Sequence, residues 1–404
     1  MKKDKKQNAK AYLESTTDRV GEIAVHYGFM VIKPPHISSD DISKSKQFKD
    51  FDKYSDAEEK VALTRWYMDN RMDLEAQPLL VHYKKPLPGR ETRKKPGTDI
   101  YGFEIMGSNR STSEAVMLRC VLSVLEDLGY KNLFIDINSI GDRESISKFE
   151  KELHSHFRKN VQNLPAKVRQ EFKKNNYSIL TNKSPELKEF LETAPQTIAS
   201  LSDISRSHFK EVLESIETFN VVYKIKPDIL PNKLYASYTI FEIRNLPEKT
   251  ETAGEGDVLA YGYRYNYLAK KIGGKREIPT MSATILVKRN PAMAKKIIIK
   301  NIKKPRFYLV QLGSTAKLKA LNIVEMLRKH KIPVHHSITK DKITGQLSGA
   351  EYMRSSHVLI MGQKEAIENT IVVRDVVSRE QETVSLENLP EFLKKIGKEK
   401  KGKK

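Results

Sequence analysis

The chain has 404 residues, 39% hydrophobic and 30% charged, which is enough for two or three domains with their own cores and too apolar for a disordered chain. No apolar run approaches the ~18 residues of a membrane helix, and the lysine-rich start Met1–Lys6 has no apolar segment behind it, so neither a membrane span nor a secretory signal is expected. The formal charge of +21 points to a polyanionic partner, and the single Cys120 rules out an intramolecular disulfide and fits a reducing cytoplasm.

Residues 9–27 predict a helix closed by Gly28. Phe29–Ile32 predicts a strand stopped by Pro34-Pro35, and 37–58 a polar loop. Glu59–Asn70 has helical apolar spacing. Leu79–Tyr83 and Tyr101–Met106 predict two strands joined by a basic loop that holds Lys84, Lys85, Arg90, Arg93, Lys94 and Lys95, candidate contacts for RNA phosphates. Ser111-Thr112-Ser113-Glu114 has the pattern of a capping box. The helix behind it aligns Ala115, Leu118, Val121, Leu122 and Leu125 on one face, with Cys120 as a core residue. Leu133–Ile137 predicts a strand, and Asn138–Asp142 the turn that leaves it.

From Arg143 to about Lys226 the pattern is wholly helical and highly charged, an insertion between strands. Strands 235–243, 257–263 and 279–288 follow, with a helix near 264–272. Asn290-Pro291 predicts a cap and first-turn proline opening a helix to about Lys300. Lys303-Lys304-Pro305 marks a boundary, beyond which a βαβαβ rhythm predicts a small, mostly parallel sheet with helices on both faces. The expected domains are a basic tail 1–8, a first unit 9–303 with the insertion at about 143–226, a second unit 305–397, and a basic tail 398–404. Lys394–Lys404 carries seven lysines against one glutamate, which adds phosphate affinity without sequence preference.

Asn138-Ser139-Ile140-Gly141-Asp142, the insertion with Ala194-Pro195 and His208-Phe209, and the strand ending Phe241-Glu242-Ile243 together resemble histidine–tRNA ligase, a class II aminoacyl-tRNA synthetase. Gln363–Leu389, especially Arg374-Asp375 and Gln381-Glu382-Thr383-Val384, resembles the anticodon-binding domain shared by the ligases for His, Gly, Thr and Pro. The resemblance spans about residues 10–397. It implies an α+β fold: a six-stranded, class II synthetase-like antiparallel sheet with a helical insertion, plus a C-terminal α/β anticodon-binding-like domain. It also implies a homodimer joined through the family's first motif, tRNA as partner, and ATP and histidine bound on the sheet.

The resemblance assigns pocket positions residue by residue. The family's α-phosphate arginine falls on His82 in Val81-His82-Tyr83-Lys84, an imidazole that makes no bidentate contact and is mostly neutral at pH 7. Arg90 is the candidate second arginine of that motif. Glu104 matches a glutamate that meets the substrate amino group or imidazole. The catalytic arginine of the Arg-Gly-Leu-Asp-Tyr-Tyr signature falls on Pro231, with Lys233 two residues on as a point-charge substitute and Tyr235 in the same run. Gly-Gly-Gly-Arg-Tyr-Asp-Gly becomes Tyr261-Gly262-Tyr263-Arg264-Tyr265-Asn266-Tyr267. Tyr261 and Tyr263 share a face. On the ligand face they fill the pocket; on the other they are core aromatics and Gly262 still faces the cavity. Arg289 aligns with the adenine-contacting arginine of the third motif, and Glu58 keeps the glutamate of a histidine-contacting Glu-Gly-Thr. These residues then form a vestigial amino-acid and ATP pocket, with no catalytic residue, cofactor or metal expected. The preferred reading is a non-catalytic, RNA-binding paralogue. The alternative is a divergent active ligase using ATP and Mg. A regulatory subunit like that of ATP phosphoribosyltransferase ranks third, because that family generally lacks the anticodon-type domain.

Overall fold

The computed structural model describes residues 13–51, 53–85, 97–182, 184–246, 256–299, 305–340 and 342–399. A short strand β1 (Thr16–Thr17) precedes α1 (Arg19–His26), whose first turn is capped by Asp18 accepting the Gly21 amide. The helix expected from residue 9 therefore begins, in its described part, only after this cap. β2 (Met30–Val31) leads to α2 (Ser39–Ser45), in the segment read as loop. Ser38 accepts the Asp41 amide and Asp41 accepts the Ser38 amide, so a capping box starts a helix that polar composition had concealed.

Then come α3 (Ala57–Asp69), β3 (Leu79–Lys84), β4 (Thr98–Met106) and α4 (Thr112–Asp127). The capping box predicted at Ser111 is not formed: the Ser111 hydroxyl donates to Glu211 at 2.5 Å, and Glu114 turns to Arg264. A tertiary ion pair outcompetes the local cap. β5 (Leu133–Gly141) runs on through the residues expected as a turn. The insertion carries α5 (Arg143–Asn160), α6 (Ala166–Lys174), α7 (Lys188–Glu192) and α8 (Asp203–Glu217). It is not wholly helical, since β6 (Val222–Ile225) pairs parallel with β5. β7 (Ser237–Asn245), β8 (Val258–Arg264), α9 (Leu268–Lys271) and β9 (Thr280–Lys288) complete the first unit. The helix expected after Asn290-Pro291 is replaced by a turn, in which Asn290 accepts the Ala292 amide, and by β10 (Ile297–Ile298). Antiparallel pairing of β10 with β1 takes the backbone groups a helix would have used.

The large sheet has the order β2-β3-β4-β9-β8-β7-β5-β6. Its six inner strands are antiparallel, and the edge strands β2 and β6 join in parallel. Because side chains alternate, each strand contributes to two faces. Phe103, Ile105, Ile135, Ile137, Phe241, Ile243, Ala283 and Ile285 pack under α1, α4 and α8. The opposite face, beneath α3 and the insertion helices α5, α6 and α7, is rich in tyrosine.

The second unit runs β11 (Phe307–Gln311), α10 (Ser314–Lys329), β12 (Val334–His336), α11 (Ile343–Tyr352), β13 (His357–Met361), α12 (Gln363–Glu368), β14 (Thr370–Asp375), β15 (Gln381–Ser385) and α13 (Leu389–Glu399). Its sheet order is β12-β11-β13-β14-β15, parallel through the first three strands and antiparallel at the last two. α10 docks on α1 and α4. The Tyr27 and Ser123 hydroxyls donate to Glu325 at 2.7 and 2.9 Å, and Arg328 reaches Asp127 at 3.1 Å. Among the described residues no helix is long and apolar enough to cross a membrane.

Candidate functional site

The face of the large sheet turned away from α1 and α4 carries Tyr83 from β3, Glu104 from β4, and Tyr261 and Tyr263 from β8, with Tyr265 just beyond. α3 crosses it, bringing Asp56, Glu59 and Lys60. Lys60 is fully buried. Its Nζ lies 2.7 Å from Glu104 Oε1, 3.9 Å from Asp56 and 4.0 Å from Glu59, and 5.8 Å from the centre of the Tyr265 ring. Four phenols then find carboxylate acceptors. Tyr265 donates to Glu104 Oε2 at 2.9 Å, Tyr83 to Glu59 at 2.5 Å, Tyr263 to Asp56 at 2.6 Å and Tyr54 to Glu242 at 2.9 Å. Tyr54 stacks on Tyr261 with ring centres 4.0 Å apart. Tyr235 meets Phe48 edge-on and brings its hydroxyl within 3.3 Å of the Tyr263 hydroxyl.

The charges are balanced within this cluster. Burial works against the Lys60 ammonium, but Glu104, Asp56 and Glu59 outweigh it and hold its pKa above the ordinary lysine value. Burial pushes the Glu104 carboxyl up to about 7, against the pull of Lys60. Burial also raises Glu59, but Lys85 at 2.7 Å, together with Lys60, brings it below the usual carboxylate range. Glu242 is held by Lys53 at 2.8 Å and Arg244 at 2.5 Å. The carboxylates of this face thus have cationic partners from the chain itself.

Several residues assigned to the pocket lie elsewhere. His82 pairs in register with Phe103, which places it on the opposite face. There its ring packs 4.4 Å from Phe103, Nδ1 sits 3.1 Å from the Gly102 carbonyl, and burial pushes its pKa down to about 4. Gly262 shares that face. A Cβ on it would come within 2.5 Å of the Phe241 ring and 2.4 Å of the Ser282 carbonyl, so close strand packing explains the glycine. Of the two orientations open for the tyrosines, Tyr261 and Tyr263 therefore take the one that fills the Glu104 face.

Arg264 is also on the helix-covered side and fully buried. Its fork grips Glu114 at 2.8 and 2.5 Å and donates to the carbonyls of Ser108 and Arg110. His208 joins Glu114 at 2.8 Å. Burial alone would raise the Glu114 carboxyl, but Arg264 and His208 hold it down at about 2. Lys233 turns into the insertion, 2.6 Å from both Glu150 and Asn176. Glu58 is half-buried on α3, while its neighbour Glu59 enters the cluster. Arg289 is 65% exposed and meets Asp99 at 3.2 Å, which Lys84 also meets at 2.9 Å. Arg90, Arg93, Lys94 and Lys95 lie outside the described residues. The structure brings together Glu104, Tyr235 and Lys85 from the expected set and adds Lys60, Asp56, Glu59 and Tyr54. A signal for Lys60 existed: it shares a helical face with Leu63 and Tyr67, a charged residue in a buried stripe.

A family model for the anticodon binding domain matches residues 306–396. The histidine–tRNA ligase of Anoxybacillus flavithermus is 28% identical over 342 residues, 83% of this chain and 80% of that protein. The histidine–tRNA ligase of Macrococcus caseolyticus is 25% identical over 405 residues, 95% of this chain and 94% of its own. In fold, the chain is similar to the apo histidyl-tRNA synthetase of S. aureus, with a TM-score of 0.53, 21% identity and 93% of each chain covered.

Proposed function

For a chain that is histidyl-tRNA synthetase-like in sequence and fold, we propose a tRNA-binding role with a closed, non-catalytic aminoacylation site. The observation that carries this is the Lys60 ammonium 2.7 Å from Glu104. Glu104 is the carboxylate to which the resemblance assigns the substrate's amino group or imidazole, so a cation of the chain takes up the acceptor that a donor of the ligand would use. An entering amino acid must break a fully buried pair, a cost of about 3–5 kcal/mol. Tyr263 and Tyr265 fill the surface beside it. The resemblance puts Pro231 at the position of the catalytic guanidinium, whose loss lowers rates by ~10²–10³ where it stabilises developing charge. The anticodon-binding domain and the charge of +21 support the RNA partner. The proposal extends to a homodimer, which sedimentation at micromolar concentration checks.

ATP–pyrophosphate exchange with each amino acid, run beside tRNA gel shifts over a salt series, tests the reading. Expected are exchange at the blank level and tRNA affinity that falls steeply with salt. One observation favours the alternative of an active ligase using ATP and Mg: the likeness extends over 94% of the length of a ligase. Exchange with histidine above the blank would establish that alternative.

A further inference from the structure

A cleft of about 590 Å³ lies between the insertion and the β5–β7 region of the sheet, within the ~300–1,000 Å³ range of small-molecule sites. Lys60, Glu104, Tyr263 and Tyr265 are not among its lining residues; the cleft opens beside the filled face and shares Glu242, Lys53 and Arg244 with it. Lys49, Lys53, Lys226 and Arg244 line it against Asp228 and Glu242. Lys53 and Arg244 hold Glu242, and Lys226 and Arg244 also reach the buried Asp136 at 3.4 and 2.9 Å. Three of these cations are thus bound to Glu242 and Asp136, and with Asp228 counted the four cations exceed the carboxylates by one.

Two lining residues carry polar atoms that have no hydrogen-bond partner among the described residues. Tyr177 is 4% exposed, and its hydroxyl is buried without a hydrogen-bond partner. Asp228 Oδ1 is likewise buried and unpartnered. Such atoms are paired in roughly 90% or more of cases. An unpartnered carboxylate oxygen calls for a hydroxyl or amine donor, and the surrounding cations call for an anion. Ile229, Leu230 and Pro231 add an apolar patch for the carbon face of a ring. One molecule that combines an anion, several hydroxyls and a carbon skeleton at this size is a monophosphorylated sugar.

We propose that this cleft binds a small sugar phosphate, its phosphate on the Lys49–Lys53–Lys226 side and a hydroxyl on Asp228 and Tyr177. Calorimetric titration of the full chain with ribose 5-phosphate tests this, with ribose and inorganic phosphate as controls. Expected is saturable binding of one molecule per chain, at least tenfold tighter than either control. Tyr177→Phe and Asp228→Asn should each weaken it about tenfold. Tyr177→Phe removes only an unpartnered hydroxyl, so its melting temperature should be unchanged or higher, which separates lost binding from lost fold. No saturable binding by the folded wild type overturns the proposal. So does inorganic phosphate binding as tightly as the sugar phosphate, or unchanged binding in either variant.

Discussion

The two faces of the eight-stranded sheet each bury an ion pair, and the pairs are built differently. Under α4, the fully buried Arg264 fork is matched to both oxygens of Glu114 and to two backbone carbonyls, with His208 as a further partner of Glu114. Under α3, the Lys60 ammonium is a point charge among Glu104, Asp56 and Glu59, ringed by phenols. The first pair is fixed by geometry on all sides and reads as structural. The second stands where the resemblance puts a ligand. Arg264 and Gly262 both belong to the packing face, where ion pairing and strand contact account for them.

The largest effect expected from this contrast is at Glu114. Glu114→Ala leaves the buried Arg264 guanidinium uncompensated and should lower stability by about 3–5 kcal/mol, read as a shifted urea midpoint with unchanged slope. Lys60→Met should destabilise less, by about 1–3 kcal/mol, because burial already raises the Glu104 carboxyl to about 7 and, with Lys60 gone, it can take up a proton, a relief not open when a ligand enters beside Lys60. A carboxyl whose folded pKa lies above its unfolded value loses stability as pH rises. The Lys60→Met deficit should thus be smallest near pH 5 and grow towards pH 8. A deficit as large as that of Glu114→Ala and independent of pH would erase the distinction between the faces.

A third test separates the faces by acid. Burial depresses the pKa of His82, on the helix-covered face, and of His336, in the second unit, to about 4. The unfolded chain binds protons that the folded chain refuses. Their contribution is therefore complete above about pH 6.5 and lost as pH falls through 4, about 1–3 kcal/mol for each histidine. His82→Leu should flatten that slope in pH-dependent denaturation. Glu114, held at about 2, adds its own loss only below about 4.5. The smallest effects belong to the exposed cations at the strand ends. Lys84→Ala and Arg289→Ala break half-open pairs with Asp99 and should each cost under about 1 kcal/mol in thermal melts at moderate salt.

Much of the fold was legible before any coordinates. The alternation in Tyr101–Met106 and in 279–288, the apolar stripe of Ala115–Leu125 and the βαβαβ rhythm after Pro305 correspond to β4, β9, α4 and the five-stranded sheet. Errors fell where a local signal met a tertiary competitor. Ser111-Thr112-Ser113-Glu114 has the letters of a capping box, but Glu114 is drawn to Arg264. Asn290-Pro291 has the letters of a helix start, but its continuation pairs with β1. The opposite happened at Ser38–Asp41, where a cap was hidden in a polar stretch taken for loop.

The sequence by itself determined the order of most elements, the two sheets and the charge, because these depend on residue type and on periods of two and 3.6. Only the tertiary structure decided which half of each strand lies under α3 and which under α1 and α4. Alternation defines two faces without saying which one α3 covers, and that depends on register and on helix docking. His82, Gly262 and Arg264 fell on one side and Tyr261, Tyr263 and Tyr265 on the other for that reason. The encounter of Lys60 with Glu104, 44 positions apart in the chain, follows from the same packing.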